Sequence, residues 1–113
     1  RVLGAWDFHG EPRGDTLVRR GYRVTIAEDG SKALTPLKNA IAPEDISVHD
    51  WNDVRVVAQG EKMTFYINGR IASEVIDDEK SKRVERGYLG LQLHEGDSMR
   101  IEFHNLRVNR LAE

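Results

Sequence analysis

The chain has 113 residues, the length of one domain, and its 17 Lys and Arg nearly balance 19 Asp and Glu, for a formal net charge of −2. This mixed charge provides no basic field for nucleic acid, and no apolar run approaches the ~18 residues of a membrane-spanning helix. The absence of cysteine excludes thiol catalysis, disulfides and cysteine-based zinc sites. We predict a single domain over residues 1–113 that binds neither nucleic acid nor a membrane.

Apolar and polar residues alternate along most of the chain with the period of two that is typical of a strand with one buried face. No window carries the sustained apolar stripe of a helix, and 37–42 and 76–86 have room for at most one helical turn. In chain order, the alternation predicts strands at 6–9, 22–26, 53–56, 63–67, 70–76, 87–94 and 100–108. Six or seven strands at this short spacing predict an all-β fold, an antiparallel two-sheet sandwich.

The sharpest turn signal is "INGR" at 67–70. Asn68 and Gly69 both tolerate positive φ and form the favoured pair of a two-residue hairpin loop. We therefore predict a tight hairpin that joins "MTFYI" to "RIASEVI". The basic run "KSKRVER" at 80–86 is flanked by "DDE" and is interpreted as a solvated loop.

The stretch "GYLGLQLHEGDSMRIEFHNLRV" at 87–108 places polar residues between leucines. Odd positions are expected to fill the core: Leu89, Leu91, Leu93, Ile101 and Phe103. Even positions are expected to face outward: Tyr88, Gln92, His94, Arg100, Glu102 and His104. A bulge near His104 and Asn105 is expected to return Leu106 and Val108 to the core.

The polar residues of the predicted strands are expected to share the face opposite the core. They are Asp7, His9, Arg23, Thr25, Arg55, Gln92, His94, Arg100, Glu102 and His104. Two interpretations remain open: these residues meet water, as in any half-solvated sheet, or their imidazoles and carboxylates perform acid–base chemistry. A metal site of His9, His94 and a carboxylate is a weaker alternative, and we predict neither a metal nor a cofactor. Trp51 is interpreted as a core or rim anchor rather than a platform for stacking sugars, and Trp6 as a core residue.

Several short motifs occur together in the second half of the chain. They are Trp51-Asn52 before a strand, Gly60, Asn68-Gly69, "GYLGLQLHEG" at 87–96 and "FHN" at 103–105. In this combination they resemble the 3-keto-disaccharide hydrolase domain family, which is similar in fold to the concanavalin A-like lectins and glucanases. "GYRVTI" and "LGAWDFHGEPR" resemble two earlier strands of that family, so the resemblance covers nearly all of the chain.

The resemblance implies a jelly roll whose concave polar face receives carbohydrate and cleaves glycosides oxidised at C3. On this basis His94 is expected to act as the acid–base catalyst. The residues expected to contact the substrate are Gln92, Asp7, His9, Arg23 and Glu102. The resemblance also suggests a bacterial protein of the periplasm or exterior, whereas the sequence itself specifies neither compartment nor substrate nor linkage.

The sequence departs from the family pattern at several polar positions, including Arg23 where the family commonly carries Glu. A non-catalytic carbohydrate-binding module, or an assembly module, on the same scaffold is therefore the alternative function. The resemblance starts partway into the family domain, so the first strands of the full domain are expected to be missing. Such an incomplete sandwich would expose a sheet edge, and two explanations stay open: either a preceding segment has been lost, or a second copy or a partner chain covers that edge.

Overall fold

The structure, a computed structural model, describes residues 3–8, 16–91, 96, 98 and 100–111. Its strands are β1 (Trp6–Phe8), β2 (Thr16–Val18), β3 (Tyr22–Ile26), β4 (Lys32–Pro36), β5 (Val54–Gln59), β6 (Lys62–Ile67) and β7 (Arg70–Asp77), with a 3₁₀ turn at Pro43–Asp45. No α-helix occurs in the described part of the chain, which confirms the all-β class. Within those residues, no helix has the length and apolar character needed to cross a membrane.

Five strands form one sheet in the order β4-β3-β7-β6-β5, and β1 and β2 form a separate two-stranded ribbon. All pairs are antiparallel except β3 and β7, which run parallel with Val24 opposite Val75. The expectation of a purely antiparallel sheet is therefore corrected at this pair. Alternation specifies which residues face the core, but it is the same for both strand directions, so the sequence pattern did not reveal the parallel pair.

The ribbon lies against one face of the sheet, here called the covered face. One cluster on it joins Val24, Ile26 and Val75 to Val18, with partly buried residues packed around them, namely Trp6, Phe8 and Met63. A second cluster contains Ile41, Ile67 and Ala72. These clusters follow from the apolar positions of β3, β6 and β7, while a complete second sheet of a sandwich stays a prediction.

The Asn68-Gly69 hairpin is confirmed, because both residues have positive φ, 51° and 80°, and join β6 to β7. Beyond this turn β7 contains a bulge: Tyr66 pairs with Ile71, but Phe65 pairs with Ser73, which leaves Ala72 as an extra residue. Ala72 and Ser73 are both buried.

Gly4 occupies the space beside this bulge. A Cβ atom on Gly4 would lie 2.8 Å from Ile67 Cδ1 and 2.9 Å from Ala72 Cβ, and its φ of +89° is one that glycine adopts readily. The Ser73 hydroxyl donates a hydrogen bond to the Gly4 carbonyl. The bulge and the turn at Gly4 therefore fit each other on the covered face.

The predicted strands at 87–94 and 100–108 are not present among the described residues of those segments. Side chains expected in the core are exposed, including Leu89 at 83% and Phe103 at 50%; Leu93 lies outside the described residues. Alternation produces a strand only where a neighbouring strand edge supplies hydrogen bonds, and the described residues of these segments have no such pairing. The expected bulge is likewise not formed, although Asn105 does adopt a left-handed conformation with φ of 56°.

Strand β4 has no signature in the alternation, because all five of its residues are exposed. It forms by pairing with β3 through the turn at 27–31, where the Ala27 amide donates to the Ser31 carbonyl at 2.8 Å. The short strand β2 was also absent from the sequence prediction.

Candidate functional site

The face of the sheet opposite the ribbon, here called the polar face, carries a row of polar side chains across its three central strands. Arg23 of β3 is level with Glu74 of β7, and Glu74 is level with Thr64 of β6. Side chains level with one another on the same face of a sheet are close enough to interact directly. The register therefore brings together three residues that are distant in sequence.

Glu74 is the centre of this row, and it is only 2% exposed. Its Oε1 accepts a hydrogen bond from Arg23 Nε at 2.8 Å, and its Oε2 accepts one from the Thr64 hydroxyl at 3.1 Å. Lys62 Nζ lies 3.7 Å from Oε2. Both carboxylate oxygens are thus held by groups on the flanking strands, as a buried carboxylate requires.

Arg23 uses a single donor in this arrangement. Its side chain is 36% exposed, and among the described residues it donates only through Nε. A guanidinium carries five N–H donors, so both Nη nitrogens remain available to a ligand. The row therefore combines a buried acceptor with an accessible planar donor.

Other side chains of the polar face extend the surface on both sides of the row. Thr25 is level with Ile76, and Tyr66 is level with Arg55 of the outer strand β5. Hydroxyls, guanidinium groups and apolar patches in this mixture are the groups that hydrogen-bond and stack against sugars.

A family model described as the 3-keto-alpha-glucoside-1,2-lyase-like domain matches residues 8–109, which is nearly the whole chain. The chain belongs to this family. The resemblance inferred from the sequence motifs is thereby confirmed. No curated protein and no solved structure shows a significant match to the chain.

Of the three expected site residues that the structure describes, the domain brings one, Arg23, into the row. Asp7 is exposed on β1 of the ribbon, on the side of that strand opposite Trp6 and Phe8. Glu102 lies in the segment without strands, where its carboxylate pairs with Arg100. The remaining three, His9, Gln92 and His94, lie outside the described residues.

Trp51 is exposed and therefore a rim residue rather than a core residue, whereas Trp6 is partly buried and packs edge-on against Phe65. The Trp51 ring contacts His104 edge-on, with ring centroids 4.2 Å apart. This contact places the segment around His104 beside the chain that enters β5.

The sequence prediction missed Glu74, Thr64 and Lys62 of the row. Alternation in "KMTFYI" does place Lys62 and Thr64 on one face of β6, and this signal was available. The position of Glu74 could not be predicted from the sequence, because an unbulged hairpin through Asn68-Gly69 would place Ser73 opposite Thr64. The bulge at Ala72 shifts the register by one residue and puts Glu74 there instead.

An open cleft of about 950 Å³ lies at the end of the sheet where β3 and β7 finish. Its lining is Ala27, Glu28, Asp29, Glu61, Asp78, Lys80 and Arg83. Ser31 donates hydrogen bonds to the Asp29 carboxylate and so lowers the pKa of that group. Within the described residues, no group of three or more His, Asp or Glu side chains is arranged to hold a metal ion.

Proposed function

We propose that this protein binds carbohydrate on the polar face of its sheet and cleaves 3-keto-glycosides there by elimination. Family membership over residues 8–109 supports the substrate class. The observation that carries the proposal is the row of Arg23, Glu74 and Thr64, which holds the partly exposed guanidinium of Arg23 in a fixed position on a sheet face not covered by the ribbon.

The chemistry begins at C2 of the sugar, whose proton is made acidic by the ketone at C3. A base removes this proton, and the electron pair of the C2–H bond forms a C2–C3 double bond while the C3 oxygen becomes an enolate. The enolate then re-forms the ketone, a C1–C2 double bond appears, and the C1–O bond breaks. Its electron pair leaves with the departing oxygen, which receives a proton from an acid. Addition of water across the new double bond would complete hydrolysis.

We assign the acid–base role to His94, because an imidazole exchanges protons near neutral pH. Gln92, two residues earlier, is proposed to hold a hydroxyl or carbonyl of the sugar. His9 and Glu102 are retained as proposed substrate contacts from the family resemblance, whereas Asp7 is not, because it lies on the outer side of the ribbon and away from the polar face. These four assignments rest on the sequence and on the family rather than on contacts within the row.

The decisive experiment follows release of nitrophenol from p-nitrophenyl 3-keto-α-glucoside. We expect release by the wild-type chain and its loss in His94→Ala. His49→Ala is the matched control, because His49 is exposed in the loop before β5, and it should retain the wild-type rate. Equal rates for the wild-type chain and His94→Ala would refute the role of His94.

The second candidate function is a carbohydrate-binding module that lacks catalysis. The presence of Arg23 where the family commonly carries Glu favours it, because a permanently charged guanidinium does not accept a proton as a carboxylate does. Saturable binding of the 3-keto-glucoside, measured by calorimetry, without release of nitrophenol would establish this function instead. A second copy or partner chain at a sheet edge stays a prediction, which a solution mass measurement tests.

A further inference from the structure

The row of Arg23, Glu74 and Thr64, taken together with the neighbouring Lys62, carries more positive than negative charge. Arg23 and Lys62 are two cations that share the single carboxylate of Glu74. Glu74 is buried, whereas both cations are partly exposed. Among the described residues, one formal positive charge is therefore left without a carboxylate partner where a ligand can reach it.

The guanidinium of Arg23 is also held in place before any ligand arrives. Glu74 binds its Nε at 2.8 Å, and Thr64 holds the other oxygen of the same carboxylate at 3.1 Å. The three residues stand on adjacent paired strands, so their backbone positions are fixed by the sheet. Because the contact uses Nε, the paired Nη donors keep the planar geometry that suits a negatively charged oxygen.

We propose that Arg23 stabilises the enolate oxygen that forms at C3 of the substrate, with Glu74 as its positioning residue and Lys62 as a second source of positive charge. This inference rests on the proposed function, because the enolate is the intermediate of that elimination. The ligand class it specifies is a saccharide with a carbonyl oxygen that becomes anionic during reaction.

The physical argument concerns where charge develops. Prearranged donors accelerate a reaction when they meet an oxygen that gains negative charge in the transition state, since they bind that oxygen more tightly than the neutral ketone. Loss of one such donor typically costs about 10²–10³-fold in kcat. A group that binds substrate and transition state equally would change KM instead.

Two readouts separate this inference from the proposed function. Exchange of the C2 proton of methyl 3-keto-α-glucoside in D₂O, followed by NMR, reports enolate formation alone. Release of nitrophenol from the p-nitrophenyl glycoside reports the complete elimination. We expect Arg23→Ala to lower both rates about 10²–10³-fold with little change in KM.

Chemical rescue gives the sharpest version of the test. Added guanidinium, at concentrations below those that unfold the protein, should restore part of the activity of Arg23→Ala. It should restore less when Glu74→Gln is also present, because the added ion then lacks its carboxylate anchor. Arg19→Ala is the matched control, since Arg19 is exposed between β2 and β3 and lies outside the row, and it should keep the wild-type rates.

The outcomes are distinct. Exchange that depends on Arg23 without release of nitrophenol would overturn the cleavage and support the enolate role. Release that is unchanged in Arg23→Ala, or a loss confined to KM, would overturn the enolate role and leave cleavage standing. A wild-type chain that neither exchanges the proton nor releases nitrophenol would overturn both.

Discussion

The two faces of the five-stranded sheet are built on the same central strands but are held together by different forces. On the covered face, Ile26 and Val75 are completely buried against the ribbon. On the polar face, the residue that directly precedes Val75 in β7 is Glu74, which is almost as deeply buried. One residue along a strand thus separates an apolar core from a buried carboxylate.

This difference indicates which face of the sheet mainly stabilises the fold. Burial of apolar side chains contributes roughly 25 cal/mol per Å² to folding, whereas a buried ion pair often contributes little because its charges lose their hydration. The residues of the polar row are therefore poorly explained by stability alone. Their arrangement fits a face that interacts with a ligand.

The largest expected effect lies on the covered face. Ile26→Ala should lower the free energy of unfolding by about 2–5 kcal/mol, because it leaves a cavity in the main apolar cluster. Urea denaturation measures this change. The matched control is Leu34→Ala on β4, which is exposed and level with Val24, and should change stability by no more than about 0.5 kcal/mol. Equal losses would show that the ribbon does not exclude water from Ile26.

Gly4→Ala should cause the next largest loss of stability, because the added Cβ would press against Ile67 and Ala72. Gly21→Ala is its control, since Gly21 has a similar φ of +93° but no atom within 4 Å of an added Cβ. We expect Gly4→Ala to cost about 1–3 kcal/mol more than Gly21→Ala, the range of overpacking in a closed core. Thermal or urea unfolding compares the two, and an equal cost would mean that the close contact at Gly4 is not formed.

Glu74→Gln should lower the free energy of unfolding by a smaller amount, about 1–2 kcal/mol. The amide keeps one acceptor oxygen, but its NH₂ group replaces the second carboxylate oxygen and cannot accept a hydrogen bond. Urea denaturation of this variant beside Ile26→Ala compares the two faces directly. A loss for Glu74→Gln that exceeds the loss for Ile26→Ala would contradict the view that the polar face contributes less to folding.

The smallest expected effect lies in the β3–β4 turn, away from both faces. Ser31 lowers the pKa of Asp29 by hydrogen bonds to its ionised form, so the associated stability is present above the unfolded pKa and is lost as pH falls through the folded pKa. Ser31→Ala should raise the pKa of Asp29 toward its ordinary value and weaken this pH dependence. An NMR titration of Asp29 measures it, and an unchanged pKa would exclude the Ser31 hydroxyl as the principal cause.

Much of the fold was predictable from local patterns. The strands at 6–8, 22–26 and 63–67 and the turn at Asn68-Gly69 follow from alternation and from residues that tolerate positive φ. The exposed strand β4 was not predictable, because it has no buried face to impose a pattern. Residues 87–108 show the converse: alternation is present there, but the described residues have no paired strand.

The candidate site was predictable in part. Arg23 was recognised as a polar alternate of β3, whereas Glu74 was not recognised at all. A carboxylate in "RIASEVID" has no local mark that distinguishes it from its neighbours, because its significance depends on which residues of β3 and β6 lie beside it.

The sequence by itself determined the apolar alternates of β3 and β6, the hairpin at Asn68-Gly69 and the family to which the chain belongs. Only the tertiary structure decided that Glu74 lies on the polar face. The reason is that side chains alternate with a period of two, so the one extra residue at Ala72 reverses the face of everything beyond it in β7. That bulge is accommodated by Gly4, which lies far away in sequence and packs beside it.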